Sequence, residues 1–151
     1  MKHMIDLRVL TADDWAAWRE LRLASLRDAP DAFGATLADW VREGEPRWRQ
    51  RLTDVPFNVL AELDGTPAGM VSGTEPDAGQ AVELISMWVA PSARGRGVGD
   101  ELIGAVVGWA QRRGARRVVL RVYDHNRHGA NLYRRNGFRP IGGTWMTLPL
   151  T

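Results

Sequence analysis

Ser86-Met87-Trp88-Val89-Ala90-Pro91-Ser92-Ala93-Arg94-Gly95-Arg96-Gly97-Val98-Gly99 is the stretch whose reading decides the fold. A strand runs out at Pro91, and a basic loop follows with glycines at three alternate positions. Val98, Leu102, Val106 and Trp109 then begin an apolar stripe at helical spacing. Strand, glycine loop and helix start together describe an anion site. The first backbone N–H groups of a helix lack internal partners, and the helix dipole adds partial positive charge there. Glycine lets the backbone turn sharply and approach a ligand, for which phosphate is the common guest. The dinucleotide fingerprint G-x-G-x-x-G fails, because Asp100 stands at its third glycine. A P-loop fails as well, since no Lys-Ser or Lys-Thr pair follows. The pattern that remains is Arg94-x-x-Gly97-x-Gly99.

The 151-residue chain is read as a single domain over 1–151, large enough to bury a core without staples. With 44% hydrophobic and 25% charged residues it has the composition of a soluble globular protein. No apolar run reaches the roughly eighteen residues of a membrane span. No signal peptide is evident, so cytoplasmic residence and no membrane partner are expected. Met4 is a second candidate start, which would make Met1–His3 a cloning remnant. Having no Cys removes disulfides, thiolate metal sites and a cysteine nucleophile, and no metal is expected. The net charge is only +2, without a long basic run, which argues against nucleic acid as the main partner. Almost every basic residue is Arg, whose planar fork suits phosphate, although most of these arginines are expected on a solvated surface.

Outward from the central stretch, the pattern resolves into alternating elements. Met4–Leu10 alternates as a strand, and Thr11 stands at an N-cap ahead of Asp13 and Asp14. Trp15, Trp18, Leu21, Arg22 and Leu26 recur at helical spacing, giving a helix over about 12–28. The segment 31–51 is irregular, with one or two short helices among exposed arginines and acids. Asn58–Leu63 and Ala68–Gly73 form a hairpin about Asp64-Gly65. Ala81–Val89 is the strand entering the glycine loop, and the next helix covers about Val98 to Arg113, ended by Gly114. Arg117–Tyr123 is nearly continuously apolar, as for a strand covered on both faces. Gly129–Arg135 is a short helix. Phe138–Ile141 and Thr144–Leu150 close the chain through Gly142-Gly143. The order β, α, α, β, β, β, α, β, α, β, β implies a mixed sheet with one parallel pair at the crossover.

Arg94-x-x-Gly97-x-Gly99 resembles the acetyl-CoA pyrophosphate loop of the GNAT superfamily of N-acetyltransferases. A second segment, Asn126 followed by Leu132-Tyr133-Arg134-Arg135-Asn136-Gly137-Phe138, resembles that family's stretch after the crossover strand. The element order agrees over essentially the whole chain. One departure is Gly129, where the family often has Ala three residues after the Asn. The resemblance implies an α/β (α+β) fold with a mixed, mostly antiparallel sheet of about seven strands and about four flanking helices. That sheet would be splayed between its fourth and fifth strands.

It also implies acetyl transfer from acetyl-CoA to a primary amine by direct attack in a ternary complex. On that reading Arg94, Gly95, Arg96, Gly97, Val98 and Gly99 hold the pyrophosphate. The backbone of Met87, Trp88 and Val89 pairs with the pantetheine and supplies an oxyanion donor. Asn126 touches the cofactor, and Tyr133 is both cofactor contact and general acid. Glu83, on the strand before the loop, is the candidate general base, equally readable as a solvated carboxylate; Ser86 is a weaker candidate. If the strand alternates without a bulge, Glu83, Ile85, Met87 and Val89 share a face. His125 and His128 are read as solvent-facing.

The acceptor is the least determined part. Phe33, Trp40 and Trp145, with Trp48, are candidates to line an apolar or aromatic pocket, although most of the seven Trp are expected in the core. No acidic cluster points to a polyamine. A small-molecule amine is the leading acceptor; a protein N-terminus or lysine, and a CoA-binding module without catalysis, remain open. So does a homodimer.

Overall fold

The computed structural model describes residues 3–151. Met1 and Lys2, part of the segment read above as a cloning remnant, lie outside the described residues. His3 is described and sits with its ring Nδ1 2.9 Å from Asp64 Oδ2.

The seven strands are β1 (Ile5–Val9), β2 (Phe57–Leu63), β3 (Thr66–Gly73), β4 (Ala81–Val89), β5 (Arg117–Arg121), β6 (Arg139–Gly142) and β7 (Trp145–Pro149). They form one sheet in the order β1-β2-β3-β4-β5-β7-β6. Five α-helices accompany them: α1 (Trp15–Asp28), α2 (Leu37–Trp40), α3 (Glu45–Asp54), α4 (Val98–Arg112) and α5 (Arg127–Arg135). The first helix starts later than its spacing predicts, because Ala12–Asp14 form a separate 3-10 turn. Thr11 and Asp14 make a reciprocal capping box there. The hairpin turn falls where Asp64-Gly65 predicts it, with both residues at positive φ.

Every pairing is antiparallel except β4 with β5, the crossover that wraps α4. That parallel ladder joins only Ala81–Glu83 to Arg117–Val119. Beyond it the two strands diverge, and the remaining edge of β4 has no strand partner on that side among the described residues.

Two apolar layers flank the sheet. On one face α4 and α5 bury Val98, Leu102, Ile103, Val106 and Tyr133 against Val59, Val71, Val82, Leu120 and Phe138. On the other, α1 and α3 bury Trp18, Leu21, Trp48 and Leu52 against Leu60, Met70 and Trp88. Three of the seven tryptophans, Trp18, Trp48 and Trp88, are buried, fewer than the majority expected; Trp15, Trp40, Trp109 and Trp145 are only half-buried.

The strand before the glycine loop does not alternate throughout. Ile85 lies opposite Ser72, but Trp88 lies opposite Met70, so one extra residue is inserted in β4. The kink is at Ser86, whose φ is +56°. Before it, Val82 and Leu84 face α4; after it, Met87 and Val89 do, while Trp88 turns to α1. Glu83 and Ile85 therefore point to the α1 side, opposite to Met87 and Val89.

Close helix–sheet packing at β3 requires a residue without a side chain. A Cβ on Gly69 would stand 2.9 Å from the Trp88 carbonyl oxygen and 3.0 Å from Leu102 Cδ1. Gly69→Ala is expected to destabilise the protein by about 1–3 kcal/mol through overpacking. Urea unfolding, read as a midpoint shift at unchanged slope, measures it.

Candidate active site

The divergence of β4 from β5 opens a cleft, and two cavities fill it. The first, of about 620 Å³, lies on the α1–α3 side and is lined by Arg22, Phe33, Trp40, Arg51, Glu83, Ser86, Arg121 and Trp145, among others. The second, of about 700 Å³, runs along the glycine loop and is lined by Trp88, Val89, Arg94, Gly95, Gly97, Gly99, Gly129 and Leu132, among others. Ala32, Phe33, Met87, Asn126 and Tyr133 line both. The two cavities thus meet at Tyr133.

The loop has the geometry that its glycines predict. Gly95 and Gly97 have φ of +76° and +91°, and Gly97 is the residue preceding the first turn of α4. That turn presents backbone N–H groups without intrahelical partners. Gly99 lets α5 come close: a Cβ there would stand 2.8 Å from Leu132 Cδ2. Asp100, the acid that spoils the dinucleotide pattern, is held by Arg135 at 3.0 Å and Asn136 at 2.9 Å. Its charge is thereby balanced by a cation that also lines the cleft.

The two loop arginines differ. Arg94 lines the cleft, but its Nη2 donates to Asp28 Oδ2 at 2.7 Å and its Nε to the Val89 carbonyl at 3.1 Å. Asp28 also accepts from the Trp88 indole at 2.9 Å. This carboxylate at the end of α1 therefore ties the loop to the helix. Arg96 is exposed, with Nη1 2.6 Å from His3 Nε2, and it does not line the cleft; nor does Val98, which is buried in the core.

Asn126 caps α5, accepting from the Gly129 N–H at 3.0 Å. Glycine at 129 lets the Asn126 side chain lie close over the helix start: a Cβ there would stand 2.6 Å from Asn126 Nδ2 and shift that side chain. The Tyr133 ring is buried edge-on against Phe138 at 6.0 Å, and burial pushes its phenol well above the ordinary range. It therefore stays protonated at neutral pH. Glu83 is half-buried, and desolvation raises its carboxyl, against the opposing pull of Arg121. Ser86 Oγ accepts from Arg51 Nη2 at 3.2 Å, which makes it part of a buried network. His125 and His128 are exposed.

Two residues escaped the sequence reading. Arg22, read only as part of the stripe of the first helix, and Arg51, expected among the exposed arginines of 31–51, are buried and part-buried respectively and line the first cavity. A signal existed: Arg22 sits inside the apolar stripe of its helix, and Arg51 lies three residues after Trp48 and next to Leu52. The candidates Phe33, Trp40 and Trp145 do line this cavity, but each carries a guanidinium over its ring. Arg22 lies 4.5 Å from Phe33, Arg47 4.8 Å from Trp40 and Arg121 4.8 Å from Trp145. The pocket is accordingly aromatic and cationic instead of simply apolar.

Known proteins share this arrangement of elements. An uncharacterized N-acetyltransferase of Methanocaldococcus jannaschii is 29% identical over 137 residues, covering 87% of this chain and 59% of its own. A mycothiol acetyltransferase of Beutenbergia cavernae is 32% identical over 126 residues, covering 83% of this chain and 41% of its own. The chain thus matches only about half the length of these curated relatives. The crystal structure of the PaiA N-acetyltransferase from Thermoplasma acidophilum in complex with coenzyme A superposes with a TM-score of 0.76 at 19% identity, covering 97% of this chain and 99% of that one. The family model described as the acetyltransferase (GNAT) family matches residues 15–138. That match takes in α1, the glycine loop and Tyr133, and the chain belongs to the GNAT acetyltransferase family.

Proposed function

We propose that the protein is an acetyl-CoA-dependent N-acetyltransferase that acetylates the primary amine of a small molecule by direct attack in a ternary complex. The observation that carries this reading is the meeting of two cavities at Tyr133 and Met87. One has a glycine loop and helix start suited to a diphosphate; the other has a carboxylate suited to a base.

Coenzyme A would lie in the second cavity. The N–H groups at Gly97–Gly99 receive its diphosphate, with the Nη1 side of Arg94, whose Nη2 and Nε are held by Asp28 and the Val89 carbonyl, and with Arg96 as an outer cation. The unpaired edge of β4 at Met87–Val89 receives the pantetheine amides in the manner of an added strand. Asn126 lies beside this channel. The acceptor occupies the first cavity, against Phe33, Trp40 and Trp145.

The chemistry follows from these placements. An ammonium has no lone pair, so the amine must first lose a proton. Glu83, directly or through water, takes it. The nitrogen then attacks the thioester carbonyl, and a backbone N–H near Met87 stabilises the oxyanion. The C–S bond breaks as the tetrahedral centre collapses, Tyr133 gives its proton to the departing thiolate, and the positively charged nitrogen of the adduct passes its second proton, directly or through water, to the tyrosinate so formed. Burial keeps the phenol protonated until the thiolate forms, and by raising it makes the proton harder to give up, so Tyr133 assists the departure without being indispensable to it.

Tyr133→Phe is expected to keep acetyl-CoA affinity and lower kcat by about tenfold or more; calorimetry and a thiol-trapping assay read the two effects. Because the Glu83 carboxyl is raised, kcat/KM should fall with decreasing pH at a higher pH than an ordinary carboxylate gives. Glu83→Gln should remove that limb, cost about a hundredfold at neutral pH, and recover towards high pH as free amine accumulates. Thiol release with none of a broad amine panel would overturn catalysis and leave a CoA-binding module.

A further inference from the structure

Arg22 and Arg51 pose a charge problem inside the first cavity. Arg22 is only 9% exposed, yet its one side-chain hydrogen bond is a long contact of 3.5 Å to Ser25 Oγ. A guanidinium has five N–H donors, and the face of Phe33 supplies no acceptor for them. Arg51 is better provided with hydrogen bonds but not with charge. It donates to Asn58 Oδ1 at 2.9 Å, Ser72 Oγ at 3.1 Å and Ser86 Oγ at 3.2 Å, all neutral groups. Among the described residues neither arginine has a carboxylate in ion-pair contact. Burial lowers Arg22 from 12.5 to about 10; burial and then the like charge of Arg22 lower Arg51 to about 10 as well, against the weaker pull of Asp54. The buried indole N–H of Trp18, lining the same cavity, also lacks an acceptor. Among the described residues that line this cavity the only carboxylate is Glu83, with Arg121 nearby as a third cation.

Burying charge of one sign without a partner is costly, and folded proteins keep such groups where a ligand completes them. We infer that the acceptor carries an anionic group, a carboxylate or phosphonate, held by Arg22 and Arg51, in addition to the amine that is acetylated. This deepens the acetyltransferase reading and rests on it. Glu83 stands three residues before Ser86, to which Arg51 donates, so the carboxylate and the guanidiniums line different parts of one cavity. An ordinary apolar amine would leave both guanidiniums unpaired.

The test uses matched pairs: amino carboxylates and aminophosphonates against amines of the same skeleton lacking the acid. Binding is measured by calorimetry to the intact protein saturated with CoA, so turnover is not needed. Thiol release from acetyl-CoA then gives kcat/KM for each member. The acidic member should bind at least about tenfold more tightly, as charge-assisted hydrogen bonds require. Arg22→Gln should abolish that preference while CoA affinity and the unfolding midpoint hold; Arg22→Lys should restore part of it. Arg22 is the residue to change first, because Arg51 also ties β2, β3 and β4 together. A carboxylate member preferred over its phosphonate, or the reverse, identifies which acid is read. Equal or weaker binding of the acidic members, binding of no member, or a preference unchanged in Arg22→Gln would overturn the inference. Failure of CoA itself to bind would instead strike the acetyltransferase reading.

Discussion

Ser86 holds a φ of +56° in the middle of a strand, a conformation a serine keeps only when its surroundings over-determine it. The surroundings here are specific. Arg51 reaches from α3 across three strands, bonding Asn58, Ser72 and Ser86, while Ser72 donates to Asn58 at 2.6 Å. That clamp pins the bulge, and the bulge inverts the facing of β4. It sends Glu83 to the α1 side and Met87 and Val89 to the α4 side. One inserted residue thereby gives a single strand two working faces, one for each cavity.

The second constraint is the short parallel ladder. β4 and β5 pair for three residues and then part, so backbone that would be silent inside a sheet is offered to a ligand. The opening does not undo the fold because each half is anchored elsewhere. β3 and α4 hold β4, and β7 pairs with β5 over its full length from Arg117 to Arg121. Tyr133 lies between the two cavities, packed on Phe138, with the glycine loop on one side and the aromatic, cationic cavity on the other. Asp28 locks the loop to the end of α1 through Arg94 and Trp88.

What the sequence carried openly was local. Thr11 before two aspartates, Asp64-Gly65 between apolar runs, and three spaced glycines after a strand each encode a turn or a cap within a few residues. Their elements were therefore legible, and so was the strand–loop–helix that locates the cleft. What it concealed depends on partners far along the chain. Nothing near Ser86 announces a bulge whose clamp lies 35 residues away at Arg51. Arg94 reads as a free phosphate ligand until Asp28, 66 residues earlier, is placed beside it. Arg51 looked like surface charge, and the place of Arg22 in the stripe of the first helix did not say which cavity it lines, since composition says nothing of burial. Those two residues change the acceptor cavity from aromatic to aromatic and cationic.

The central claim is that the open edge of β4 and the start of α4 together form a seat for coenzyme A. Isothermal titration of the purified protein with acetyl-CoA tests it most directly. The account predicts saturable binding with one molecule per chain, weakened by salt because phosphate contacts contribute. Absence of any binding up to millimolar cofactor, with the protein verified as folded, would contradict it.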